Sequence, residues 1–142
     1  MKKIITLFLL SFFASQCFAV DSKLIELSVN AKNKNGKDLV MSFKEEKRDD
    51  KTSLVWVKFT SGASVPSSMF IAKGMYKISK SRNALYWINL KEWQDGDKRY
   101  YIVGFSNDNT IDIIKFYGEN VDETKNLDFL STKQFDMLWG NE

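Results

Sequence analysis

The chain has 142 residues, with 21 basic and 18 acidic residues, no histidine and one cysteine. This composition excludes catalytic groups that need histidine, and it excludes zinc or copper sites built from histidine or several cysteines. Without Lys2 and Lys3, 19 basic residues remain against 18 acidic ones, so charge gives no argument for binding nucleic acid or an anionic membrane.

The first nineteen residues have the pattern of a secretory signal. Two lysines precede an apolar run from Ile4 to Ala14, and a small-residue site ends at Ala19. The run is too short to span a bilayer, so stable membrane insertion is not expected. We expect cleavage after Ala19 and a single periplasmic domain over residues 20–142. A lipoprotein signal with Cys17 as the lipidated residue is the alternative.

The first half of this domain shows alternating apolar residues, which predict β structure. Ile25–Val29 is the first predicted strand, and Asn33–Lys37 offers an Asn-Gly turn into a second strand over Leu39–Phe43. The charged stretch Lys44–Lys51 is typical of a solvated hairpin end. Ser53–Thr60 is apolar on both faces, which indicates a strand inside the sheet.

The second half predicts more strands, after a loop over Ser61–Ser68. The four predicted strands are Met69–Ser79, Ala84–Trp93, Arg99–Ser106 and Thr110–Gly118. Gly74 and Gly104 within them indicate bulges or sharp bends. The segment from Ser131 has capping-box spacing and predicts a helix that ends at Gly140. The fold class is therefore mainly β: an antiparallel meander of about seven strands, as a sandwich or partly open barrel, with a short C-terminal helix.

Catalysis could rely only on carboxylate, lysine, tyrosine or serine side chains. Glycoside hydrolysis needs two carboxyl groups on either side of one bond, but most acidic residues lie in predicted turns, where aspartate is expected for backbone reasons. Asp95–Asp97 and Asn107–Asn109 lack the ligand offsets of an EF-hand calcium loop. We therefore expect no enzymatic activity, no metal and no cofactor.

Acidic turns and one tryptophan are the candidate binding features. Acidic side chains at a loop can enter a basic cleft of another protein, where complementary charge speeds association and fixes register. The candidate partner-binding residues are Trp93, Asp95, Asp97, Glu119, Asp122 and Glu123. The alternatives are that the acidic segments are ordinary solvated turns, and that the aromatic residues of these strands pack in the core or stack on a sugar.

The layout of the whole chain resembles the periplasmic immunity proteins of type VI secretion. The resemblance lies in the signal MKKIITLFLLSFFASQCFA, the aromatic strands ALYWINLKEW and RYYIVGFS, and the acidic loop GENVDE. It implies a protein, often a homodimer, that inhibits a lysozyme-like, peptidoglycan-degrading effector by occupying its catalytic groove. Two other classes remain open, namely a lipocalin-like carrier of a small apolar ligand and a structural protein of the cell envelope.

Overall fold

The computed structural model describes residues 23–32, 36, 38–59 and 65–142. The predicted signal and, apart from Gly36, the predicted turn over Asn33–Lys37 lie outside the described residues. The elements are β1 (Glu26–Lys32), β2 (Asp38–Arg48), β3 (Thr52–Phe59), α1 (Val65–Ser81), β4 (Tyr86–Asp95), β5 (Lys98–Ser106), α2 (Ile113–Tyr117), β6 (Leu130–Ser131) and α3 (Thr132–Trp139). A short 3-10 helix, Gly118–Asn120, follows α2.

The described strands form one antiparallel sheet, curled into a half-barrel, in the order β1-β2-β3-β5-β4-β6. The prediction of a mainly antiparallel β fold with a short C-terminal helix is confirmed, but the sheet has six strands, not seven. The order also departs from a meander. Helix α1 carries the chain from β3 to β4, and β5 then returns between these two strands.

Residues 65–81 form helix α1, so the prediction of a strand over Met69–Ser79 is wrong. Pro66 is compatible with the first helical turn, where a backbone N–H has no intrahelical acceptor. Gly74 marks a close approach, not a bulge: a Cβ at this position would lie 2.3 Å from Cε2 of Phe43 in β2. The helix therefore packs directly against the sheet at this point.

Helix α2 replaces the strand predicted over Thr110–Gly118. The carboxylate of Asp112 caps this helix by accepting a hydrogen bond from the backbone N–H of Lys115, at 3.0 Å. The alternating pattern predicted Asp112 within a strand, but its side chain forms the N-cap of a helix. Gly104 is not a bulge either, since its missing Cβ makes room for the Tyr117 ring, 2.7 Å from that position.

The two faces of the sheet are covered differently. The helix face packs against α1 and α3 and holds the main core, which includes Phe43, Val55 and Val103. The opposite face, which we call the open face, has a smaller cluster of Ile88 and Leu90 under α2. The charged end of β2 also departs from expectation: the hairpin turn lies at Asp49–Lys51, but β2 continues to Arg48 and buries Glu45 completely.

Helix α3 packs on α1 through aromatic side chains. Phe135 and Trp139 stack at 5.6 Å between ring centroids, and Tyr76 of α1 lies 5.6 Å from Trp139. The helix ends at Gly140 as predicted, but the Ser131 side chain makes no capping hydrogen bond, so the capping box is not formed. Leu138 is exposed. None of the described helices has the length and apolar character needed to cross a membrane.

Candidate functional site

The position of Trp93 depends on an irregularity in β4. Strict alternation would place Trp93 on the same face as Trp87, which lies in the main core. The pairing of β4 with β5 shifts by one residue between Asn89 and Lys91, so Leu90 is an extra residue in β4. This bulge moves the following side chains to the opposite faces. Trp93 therefore lies on the open face, where it is 38% exposed.

Trp93 is the outermost member of an aromatic row across three strands. It stacks on Tyr100 of β5, with 5.3 Å between ring centroids and 9° between ring planes. Tyr100 in turn pairs in register with Trp56 of β3, whose ring lies 4.2 Å from Nζ of Lys98. These contacts cover one face each of Trp93 and Trp56.

Asp95 and Asp97 lie at the tip of the β4–β5 hairpin, beside this row. Gly96 between them has a φ of 59°, the left-handed conformation that a tight hairpin turn requires. Asp97 forms an ion pair with Lys58 of β3. The hydrogen bond from Lys58 lowers the pKa of Asp97, so this carboxylate is ionised at neutral pH. Asp95 thus presents negative charge next to an exposed aromatic side chain, while the charge of Asp97 is paired with that of Lys58.

The second acidic segment runs beside β4. The backbone N–H of Asp122 donates to the carbonyl oxygen of Leu90, the bulge residue, at 2.8 Å. The Asp122 carboxylate accepts two hydrogen bonds from Thr124, at 2.7 Å from Oγ1 and 3.1 Å from the backbone N–H, and these bonds lower its pKa. Asp122 therefore stabilises its own turn, whereas Glu119 and Glu123 are exposed.

A shallow groove of about 240 Å³ connects the two regions on the open face. Its lining residues are Lys47, Asp49, Thr52, Leu54, Trp93, Ile102 and Asn120. Trp93 thus shares a groove with the residue that follows Glu119. The structure brings Trp93 close to the second acidic segment, while Asp95 and Asp97 extend beyond it at the hairpin tip.

Two features of this surface were missed by sequence reasoning. The first feature is Trp56 of the aromatic row, with Lys98 over its ring. The pairing of two aromatic-rich strands, β3 and β5, is the signal that could have found these two residues. The second feature is Lys125, which donates to Glu92 of β4 at 2.8 Å and fastens the segment after α2 to the sheet. The hydrogen bond from Lys125 is the main cause of the lowered pKa of Glu92.

A buried ionic cluster around Glu45 was also missed. Its carboxylate accepts hydrogen bonds from Arg48 Nε at 2.8 Å, from Ser53 Oγ at 2.6 Å and from the backbone N–H of Ile25 at 3.1 Å. Burial alone would raise the pKa of Glu45, but these hydrogen bonds together lower it. Each group is partnered, and the cluster ties β2 to β3 and to the residues before β1. This arrangement is structural and offers no open position to a substrate.

Within the described ranges, no three acidic or other ligand-type side chains come close enough together to hold a metal ion. Comparisons with protein-family models, with curated proteins and with solved structures give no match to this chain. The surface around Trp93 is therefore interpreted from its own geometry. It combines an acidic hairpin tip, an aromatic row and a groove.

Proposed function

We propose that this chain is an exported protein that binds and inhibits a peptidoglycan-hydrolysing partner through its open face. Export to the periplasm follows from the signal pattern of residues 1–19, and the inhibitory role follows from the resemblance to immunity proteins. The observation that carries the proposal is the exposed Trp93, which stacks on the half-buried Tyr100 beside an acidic hairpin. Tryptophan and tyrosine are among the residues that most often dominate the affinity of a protein complex.

Charge gives this surface a preferred kind of partner. Asp95 and Asp97 lie at the hairpin tip, Glu119 precedes the groove residue Asn120, and both Glu119 and Glu123 are exposed. A cleft lined with basic groups would complement both acidic segments at once, which speeds association and fixes orientation. We propose that the hairpin and the segment after α2 enter such a cleft and exclude the substrate from it.

The interior of the protein supports protein binding over ligand transport. Between α1 and the sheet, Phe43, Met75 and Ile78 are fully buried and fill the space that a carrier would need for an apolar ligand. A lipocalin-like carrier is therefore the weaker proposal. Native mass spectrometry of the protein purified from its host tests it directly, because a bound small molecule would be seen as added mass.

The proposed function is tested by capture and inhibition. The tagged protein is used to capture partners from envelope extracts and from the products of adjacent genes, and each captured protein is assayed for peptidoglycan hydrolysis. Stoichiometric capture together with loss of hydrolysis is the expected result. Capture of no protein, or of a hydrolase whose activity is unchanged, would contradict the inhibitory role.

Charge reversal then locates the binding surface. We expect Glu123→Lys to weaken binding of the partner about two- to fivefold, the effect of one charge at the rim of an interface. Glu142→Lys, whose carboxylate pairs with Lys73 of α1 on the other side of the sheet, is the matched control and should leave affinity unchanged. If both variants weakened affinity equally, binding would depend on the net charge of the protein and not on the segment after α2.

A further inference from the structure

The outer side of β1 is an unpaired edge of the sheet. β1 (Glu26–Lys32) is the first strand in the sheet order, and among the described residues no strand pairs with its outer side. The strand at the other edge, β6, has only two residues. An edge strand presents a row of backbone N–H and C=O groups with which another chain can pair. With seven residues, β1 offers a far longer row of these groups than β6 does.

The side to which each residue of β1 points its backbone groups follows from a contact with β2. The carbonyl oxygen of Ile25 accepts a hydrogen bond from the backbone N–H of Glu45 at 2.8 Å, so the backbone groups of Ile25 point toward β2. Successive residues of a strand point their N–H and C=O groups to alternate sides. The residues with outward-pointing backbone groups are therefore Glu26, Ser28, Asn30 and Lys32. The side chains of these four residues are also exposed.

β1 lacks the features by which proteins commonly protect an edge strand. There is no proline among its seven residues, and it pairs with β2 without a register shift, so no bulge bends the edge away. Its charged side chains, of Glu26 and Lys32, are exposed and do not point into the core. Leu27 and Val29 pack against the main core but are only partly buried. A strand added beside β1 would bury more of these two side chains.

The charges of β1 favour one direction of pairing with a second copy. When two copies of β1 run antiparallel, the register that pairs all seven residues places Glu26 opposite Lys32 and Ser28 opposite Asn30 of the other copy. These are the residues whose backbone groups point outward, so each pair can form two backbone hydrogen bonds. A parallel pairing in register would instead place Glu26 beside Glu26 and Lys32 beside Lys32, where like charges repel. The strand is thus complementary to itself in the antiparallel direction.

The same charge pattern continues into β2. Within one copy, Glu26 pairs in register with Lys44, and Lys32 pairs with Asp38. Residues that pair in register have their side chains on the same face of the sheet. In the antiparallel arrangement, a line across the junction therefore passes Lys44 and Glu26 of one copy and then Lys32 and Asp38 of the other. The sign of the charge alternates at every step along this line.

We propose that β1 is a self-association site, through which two copies of this chain form a symmetric dimer with one continuous sheet. Glu26 of each copy lies opposite Lys32 of the other, and backbone hydrogen bonds link Ser28 to Asn30. Three strands separate β1 from β4, so the pairing does not involve Trp93 or the hairpin tip. The dimer therefore does not depend on the proposed function, and each copy would keep its own open face.

Sedimentation equilibrium of the protein purified from its host tests for the dimer. We expect a reversible monomer–dimer equilibrium that shifts toward monomer at high salt, since salt screens charge pairs at a surface. Ser28→Pro removes one outward-pointing N–H and leaves the hydrogen bonds to β2 in place, so it should fold and weaken dimerisation at least about tenfold. Protein that stays monomeric up to about 1 mM, or a dimer that Ser28→Pro leaves unchanged, would overturn the proposal.

Charge variants test the register of the pairing. Glu26→Lys and Lys32→Glu each place like charges opposite one another, so each variant alone should dimerise at least about tenfold more weakly than wild type. An equimolar mixture of the two should form dimers again, because every charge then lies opposite its complement. Lys115→Glu, in α2 near β4, is the matched control and should leave the equilibrium unchanged. A mixture that is no more dimeric than its two components would contradict this register.

Amide hydrogen exchange distinguishes a second copy from another occupant of the same edge. In the dimer, the outward-pointing N–H groups of Ser28 and Asn30 become hydrogen-bonded, so their exchange should slow as the concentration of the protein alone is raised. Exchange that slows only when the captured hydrolase is added would show that an extended segment of that protein pairs with β1. That result would overturn the dimer.

Discussion

The bulge in β2 and the bulge in β4 each insert one residue into an antiparallel pair, and they move side chains in opposite directions. In β2 the shift lies between Glu45 and Lys47, and it brings Arg48 to the helix face beside Glu45. In β4 the extra residue is Leu90, and it takes Trp93 away from the core to the open face. The extra residue in β2 thus allows an internal ion pair to form, and the extra residue in β4 leaves an aromatic side chain exposed.

The two bulges also have opposite energetic consequences. Burying the charges of Glu45 and Arg48 costs desolvation energy, which their direct hydrogen bonds and those from Ser53 and Ile25 offset. Exposing part of Trp93 forgoes the stability that its burial would give. The first arrangement stabilises the fold, and the second leaves aromatic surface exposed at some cost in stability. The predictions below test this division.

The largest effect is expected for Glu45→Ala. The substitution leaves Arg48 without its carboxylate, and the side chain of Arg48 is only 11% exposed. Breaking a buried ion pair from one side costs about 3–5 kcal/mol in free energy of unfolding. Urea denaturation measures this loss. Glu46→Ala, at the exposed bulge residue itself, is the control and should change stability by less than about 0.5 kcal/mol. Similar losses for both variants would contradict the division.

The next largest effect is expected for Trp93→Ala, on binding and not on folding. If the open face contacts the partner, the loss of an interface tryptophan should cost about 2 kcal/mol or more, which is roughly thirtyfold in affinity. Calorimetric titration with the captured partner measures it. Met137→Ala in α3 removes a side chain that is more exposed than Trp93 and serves as the control. If Trp93→Ala bound the partner with unchanged affinity, the aromatic row would not be part of the interface.

A smaller effect of opposite sign is expected for Ser79→Ala. The variant removes a buried hydroxyl that has no partner and introduces a better helix former, so it should raise the free energy of unfolding by about 1 kcal/mol. Thermal and urea denaturation both report it. Ser53→Ala is the contrasting variant, because its hydroxyl bonds to Glu45, and it should lower stability. A loss of stability in Ser79→Ala would show that this hydroxyl is bonded in solution.

The smallest effect is expected on the pH dependence of stability. The folded-state pKa of Glu45 lies below its ordinary value of 4.5, so the unfolded chain binds this proton first as the pH falls. The contribution is complete above pH 4.5, decreases below it and is lost once the pH falls through the folded-state pKa. The stability difference between wild type and Glu45→Gln should therefore shrink below pH 4.5. A difference that is constant from pH 7 to pH 3 would contradict this.

Sequence patterns predicted the strands of the sheet better than its helices. β1, β3, β4 and β5 follow alternation or continuous apolar character, and their positions were predicted closely. α1 was missed because a glycine inside an apolar run was interpreted as a strand bulge. The buried residues Phe70, Gly74 and Ile78 repeat every four positions, which is helical spacing, and the close packing of Gly74 on Phe43 appears only in three dimensions.

The proposed binding surface could be predicted only in part, for a related reason. Trp93 was singled out because it abuts a polar turn, and the turn residues Asp95 and Asp97 do lie at a hairpin tip. The groove and the aromatic row depend on strand register, which a bulge changes by one residue. A bulge is visible only when both strands of a pair are compared, so the pattern of β4 alone could not place Trp93 on the open face.

The hydrogen bond between the Asp122 amide and the Leu90 carbonyl has a consequence for the dynamics of this surface. Because the bond joins the segment after α2 to the bulge, that amide proton can exchange with solvent only when this part of β4 and the segment separate. A partner held by both regions would suppress that opening. The exchange rate of one backbone amide would then report occupancy of the whole open face, without any label on the partner.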